Sequence, residues 1–95
     1  MEITDVKLRH VNVEEKIKAI VSVTFENCFV IHDIKVIAGE QGSFVAMPSR
    51  RISEGRYRDI AHPINSEMRK EIETAVFESF NRYVESNENI NEASV

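Results

Sequence analysis

Four arginines, Arg50, Arg51, Arg56 and Arg58, fall within nine positions of a 95-residue chain. They make up four of its 12 Lys and Arg residues, although acids outnumber bases and the formal net charge is −4. A guanidinium presents a planar fork of donors matched to phosphate and carboxylate. Arginines gathered this closely can hold an anion. They can equally form a solvated edge, pairing with acids such as Glu54 and Asp59 and discouraging aggregation. From the residues alone both readings stand.

Other chemistry-bearing residues organise less well. His32, Asp33, Asp59 and His62, with Cys28, could be gathered into a metal or acid–base set, but their spacing matches no ligand pattern. Ordinary strand and turn roles account for them. Cys28, beside Phe29, reads as a small buried hydrophobe. Ser43, Ser49 and Ser53 sit outside any Gly-x-Ser-x-Gly elbow. The three glycines, Gly39, Gly42 and Gly55, form no phosphate-cradling loop. The expectation is a protein that is not an enzyme, with no metal, cofactor or small-molecule substrate.

The elements that position the arginines follow from periodicity. Residues 3–10 (ITDVKLRH) alternate, with Thr4, Val6 and Leu8 on one parity, as in a half-buried strand. Residues 16–26 alternate more cleanly, with Ile17, Ala19, Val21, Val23 and Phe25 on one face. Asn27 and Cys28 allow a turn into a third strand, 28–38, where Val30, Ile34 and Val36 share a parity. Phe29, Ile31 and Ile37 on its other parity give it two apolar sides, which implies a covered second face. After a turn at GEQG (39–42), residues 43–51 begin a fourth strand. Pro48 removes a ladder donor and makes that strand irregular.

Ser53-Glu54-Gly55 then reads as a hairpin tip, with Gly55 in the left-handed position of a three-residue loop. In that register Ile52 faces Arg56, Arg50 faces Arg58, and Pro48 faces Ile60. Arg50, Arg56 and Arg58 project from one side, with Arg51 beside Tyr57 on the other. Like charges directly opposite are destabilising in a sheet, and a docked anion would relieve this. Asn65 or Ser66 caps a helix running to about residue 84. Met68, Ile72, Ala75, Val76 and Tyr83 form its core stripe, flanked by Phe77, Phe80 and Val84.

The fold class expected is α+β: an antiparallel β-sheet with a protruding β-hairpin and one long C-terminal helix. Residues 1–84 form a single domain, and residues 85–95 read as an acidic, disordered tail. That tail holds Glu85, Glu88 and Glu92 and no base, which leaves the body nearly neutral, with 13 acids against 12 bases. One helix cannot cover both faces of a sheet, so the uncovered apolar surface points to a homodimer. A single cysteine permits no internal disulfide, and the N-terminus has neither the basic nor the apolar region of a signal peptide. No apolar run approaches the roughly 18 residues of a membrane span. A cytoplasmic protein without a membrane partner is expected.

FVAMPSRR (44–51) followed by RYRDIAHPIN (56–65) resembles the SpoVG family, stage V sporulation protein G or septation regulator. VIHDIKVI (30–37) and the opening ITDVKLRHV are also similar to it, so the resemblance covers residues 2–84. Many members carry Thr-Pro-Asp-Gly after the basic pair, whereas this chain has Ile52-Ser53-Glu54-Gly55. The resemblance implies a small α+β homodimer that binds DNA, or RNA, and regulates gene expression linked to septation and sporulation. It implies Arg50, Arg51, Arg56, Arg58 and Tyr57 as nucleic-acid contacts, with Arg69 and Lys70 as secondary ones. A protein-interaction module in cell division, with the arginine hairpin meeting an acidic partner, is the alternative.

Overall fold

A computed structural model describes residues 1–94, with side chains described through Asn87. Six strands precede one helix: β1 (Ile3–Val11), β2 (Ile17–Phe25), β3 (Phe29–Gly39), β4 (Gly42–Ala46), β5 (Ser49–Ser53), β6 (Arg56–Asp59) and α1 (Ser66–Ser94). β1 to β4 form an antiparallel meander in the order β1-β2-β3-β4. β5 and β6 form a separate two-stranded sheet. The architecture is the α+β arrangement expected.

The expected fourth strand is in fact two. Pro48 cannot donate to a ladder, so β4 stops at Ala46 and β5 begins at Ser49 in the second sheet. Met47 and Pro48 are buried at this junction. The Ile60 amide donates to the Pro48 carbonyl at 2.7 Å, closing the base of the β5–β6 hairpin.

Four β-bulges in the meander reassign faces that strict alternation misplaced, one of them in β2 between Ile17 and Ala19, which turns Ile17 (37% exposed) off the core face it was expected to share. β1 shifts register between Ile3 and Asp5 and again between Leu8 and His10. Its core-facing set is therefore Ile3, Val6, Leu8 and Val11, not Thr4, Val6 and Leu8. Thr4 instead donates from Oγ1 to the Thr24 carbonyl and accepts from the Asn27 amide. In β3 two residues, His32 and Asp33, oppose the single Ser22, and Asp33 takes a left-handed φ of 64°. Each extra residue flips the side chains beyond it to the other face. Ile31, not Val30, thus joins Ile34 and Val36 against the core, and Val30 is 43% exposed.

The β2–β3 turn also differs by one residue. Its centre is Glu26-Asn27, both at φ 54°, with the Cys28 amide donating to the Phe25 carbonyl at 3.0 Å. Positive φ at both central residues is the requirement of a type I′ hairpin. Cys28 lies just past this turn and is exposed rather than buried, because the hairpin end extends beyond the helix-covered core.

The core lies between one sheet face and α1. Ala19, Val21, Val23 and Phe25 from β2 meet Ile34 and Val36 from β3, Val45 from β4, and Ile72, Val76 and Phe80 from α1. The helix stripe runs in steps of four, Met68, Ile72, Val76, Phe80 and Val84, and Tyr83 is exposed instead of buried. Burying each of the larger side chains contributes about 1.5–3 kcal/mol. Asn65 caps the helix, its Oδ1 accepting from the Met68 amide at 2.8 Å.

The helix continues to Ser94, ten residues past the expected end near residue 84. Once nucleated, a helix propagates one hydrogen bond per residue and needs no apolar stripe to do so. The stretch read as a disordered tail is thus helical backbone through Ser94, and Val95 lies outside the described residues.

Candidate nucleic-acid interface

The hairpin stands apart from the rest of the fold. The helix packs on β1, β2 and β4, whereas β5 and β6 make their main contacts with each other. Every residue from Arg50 to Ile60 is exposed. The radius of gyration is 14.4 Å, against about 12 Å for a compact chain of this length. The projecting arm and the 29-residue helix both extend the molecule.

Register decides which guanidinium groups sit together. Arg50 pairs with Arg58, Arg51 with Tyr57, and Ser49 with Asp59. Directly opposed residues share a face, so Arg50 and Arg58 lie side by side while Arg51 and Tyr57 lie on the reverse. Arg56 is two residues from Arg58 on an unbulged strand and returns to the same face. Three arginines therefore occupy one face, as the sequence register predicts. The tip differs. A bulge at Ile52–Ser53 makes Ser53, not Ile52, the partner of Arg56. Glu54-Gly55 closes the turn, with Gly55 at φ 73°, a conformation that costs glycine nothing.

Electrostatically the arm is a concentrated positive surface in water. A pair of guanidinium groups held opposite each other is relieved by a bridging anion. On the reverse face, the Arg51 Nε–H donates to the Ser53 carbonyl at 3.4 Å, turning that guanidinium toward the tip. Tyr57 is 66% exposed. An exposed ring beside an arginine is the arrangement on which an unstacked base can lie.

The two helical candidates sit elsewhere. Arg69 is half-buried in the first turn of α1, its amide bonded to the Asn65 carbonyl. Lys70 lines a cavity with Glu2, Glu67, Glu71 and Glu78. Four carboxylates around one ammonium make a surface that repels phosphate. The structure brings the five hairpin residues together and leaves Lys70 in an acidic groove.

Two features on the arm and sheet have no counterpart among the sequence candidates. Ile52, Ile60 and Ile64 add exposed apolar surface around the hairpin, with Ile64 91% exposed. The sheet face opposite α1 carries Ile20, Val30, Ile37 and Phe44, paired across strands as Ile37 with Phe44 and Thr24 with Val30. The two-sided pattern of β3 was the sequence signal for this face. The histidines are locally occupied: His32 Nδ1 lies 2.7 Å from Ser22 Oγ, and His62 Nδ1 lies 3.0 Å from the Pro63 carbonyl. No group of three potential metal-ligating side chains converges among the described residues.

The SpoVG family model matches residues 1–82. The chain belongs to the SpoVG family. A relative in Heliobacterium modesticaldum, named "Putative septation protein SpoVG", is 61% identical over 84% of this chain and 90% of its own length. A relative of the same name in Clostridioides difficile is 59% identical over 84% of this chain and 87% of its own. One in Caldicellulosiruptor saccharolyticus is 53% identical over 93% of this chain and all of its own length. The SpoVG match takes in the meander, the hairpin and most of the core-facing part of α1. No helix among the described residues is long and apolar enough to cross a membrane.

Proposed function

We propose that this SpoVG-family chain is a homodimeric, non-enzymatic regulator of gene expression that binds DNA or RNA through its arginine hairpin in the cytoplasm. The name its relatives carry, "Putative septation protein SpoVG", supports septation as the process, and the family resemblance extends the reading to sporulation. The observation that carries the reading is the opposition of Arg50 and Arg58, exposed on an arm whose strands make their main contacts with each other. Phosphate contacts from these guanidinium groups supply affinity, and base contacts from Arg51 and Tyr57 supply what selectivity there is.

Dimerisation is part of the proposal. The open sheet face with Val30 and Phe44 (48% exposed) is apolar surface that a second copy would cover. Two copies then present two arms to one nucleic acid.

The test is a titration of duplex and single-stranded DNA and RNA against the protein across salt concentrations. Log K should fall linearly with log salt, and Arg50→Ala/Arg51→Ala should flatten the slope by roughly 0.7–0.9 per lost contact. Absence of salt-dependent binding at low ionic strength sinks the reading. The second reading is a septation module whose arm meets an acidic protein. The exposed Ile52, Ile60 and Ile64 favour it, because phosphate has no use for apolar neighbours. A partner captured through these residues after nuclease treatment would replace the first reading with the second.

A further inference from the structure

A groove runs along the free side of β1, bounded by α1, and the proposed nucleic-acid function does not use it. β1 is an edge strand of the meander. Such an edge presents unpaired backbone N–H and C=O groups, which template the addition of another strand. Beside it lies a cavity of about 650 Å³ at the Met1 end. A second cavity shares Ile3, Ala75 and Glu78 with the first. A third shares Val6, Ser79 and Arg82 with the second. The openings thus join into one channel, with an apolar floor that includes Ile3, Val6 and Ala75.

Its charge is uneven. At the Met1 end, Glu2, Glu67, Glu71 and Glu78 surround Lys70. Farther along, Arg82 and Lys7 line the wall. The bulges of β1 leave Asp5–Leu8 as its regular run. Backbone pairing is available there, with the acidic mouth just beyond it.

We propose that this groove takes an extended segment of a partner protein, paired with Asp5–Leu8 as an added strand and carrying basic side chains into the mouth formed by Glu2, Glu67, Glu71 and Glu78. Main-chain hydrogen bonds supply affinity, and alternate side chains on the apolar floor together with the carboxylates supply selectivity. Nucleic acid is excluded from this surface by its four carboxylates. The choice of another protein over a second copy's arginine hairpin rests on the function proposed above, in which that hairpin holds phosphate.

The experiment uses the full chain and a fluorescent nine-residue peptide of alternating valine and threonine ending in two lysines, followed by anisotropy. A peptide ending in two glutamates is the control. Binding should be at least tenfold tighter for the lysine peptide. It should weaken at least tenfold in Glu67→Lys/Glu71→Lys, at two exposed positions, with native circular dichroism retained. N-methylation of alternate peptide amides should abolish binding in one phase and be tolerated in the other. β1 amides should gain hydrogen-exchange protection when the peptide is added. Equal binding of the two peptides, or indifference to methylation in both phases, overturns the proposal. So does protein self-association that disappears in Glu67→Lys/Glu71→Lys, which would assign the groove to a second copy. None of these results depends on nucleic-acid binding, so this proposal and the one above fail separately.

Discussion

Arg50 and Arg58 stand directly opposite each other across the β5–β6 ladder, both exposed, on a hairpin that packs on no other element to any extent. Two like charges in that position oppose the strand pairing that holds them. Such a pair costs the free hairpin local stability, which an anion bridging the two guanidinium groups, as proposed above, would restore. An isolated two-stranded hairpin is marginally stable in water, so the ligand proposed for the arm would also order it.

Replacing Arg50 with glutamate exchanges repulsion for an ion pair. Arg50→Glu should stiffen the free hairpin, seen as slower amide exchange at Arg50 and Arg58. It should also lower nucleic-acid affinity at low salt and reduce the salt slope. A hairpin no more protected than the parent's would show that the opposed pair costs nothing in the free protein.

Tyr57 separates stacking from hydrogen bonding. Tyr57→Phe should retain affinity for single-stranded nucleic acid, and Tyr57→Ala should lose about 1–3 kcal/mol, roughly a 5- to 150-fold change, as expected for a base-stacking ring. Equal losses in both variants would implicate the hydroxyl instead.

The open sheet face tests the dimer. Val30→Lys places a charge on exposed surface and leaves the core untouched, so the monomer should stay folded. Sedimentation should then report a shift from dimer to monomer mass. An unchanged mass with native circular dichroism would move the dimer contact to another surface.

The helix–sheet contact sets stability. Ile72→Ala, at a buried position facing β2 residues, should cost about 2–5 kcal/mol. Asn65→Ala removes the helix cap and should cost about 1 kcal/mol. In a domain of this size each kcal/mol lowers Tm by about 4–8 °C, measurable by thermal melts. A loss at Asn65 equal to that at Ile72 would mean that the cap governs docking of the whole helix.

Much of this was legible in the chain itself. The alternation of residues 19–25 marked the central strand, and Pro48 marked an irregularity where the structure divides one expected strand between two sheets. The turn residues around Gly55 placed Arg50 opposite Arg58, although they put Ile52 instead of Ser53 opposite Arg56 because the bulge at the tip leaves no mark in the sequence. Alternation failed at the bulges near Thr4, Arg9, Lys18 and Asp33, because an inserted residue is a property of the pairing between two strands and leaves little trace in either one. Cys28 was misplaced for a related reason: its surroundings depend on where the hairpin end lies relative to the helix. The helix was drawn short because an apolar stripe reports where a helix packs, not where it ends.

Sequence by itself determined the arginine cluster, the period of each element and the α+β class, since these follow from residue types and local spacing. Tertiary structure alone decided that Lys70 lies among carboxylates and that β1 borders an acidic groove. Each of those depends on groups distant in the chain: Glu2 meets Glu67 and Lys70 only after the meander brings β1 beside α1. Charge acts through space, so the sign of a surface is settled by packing.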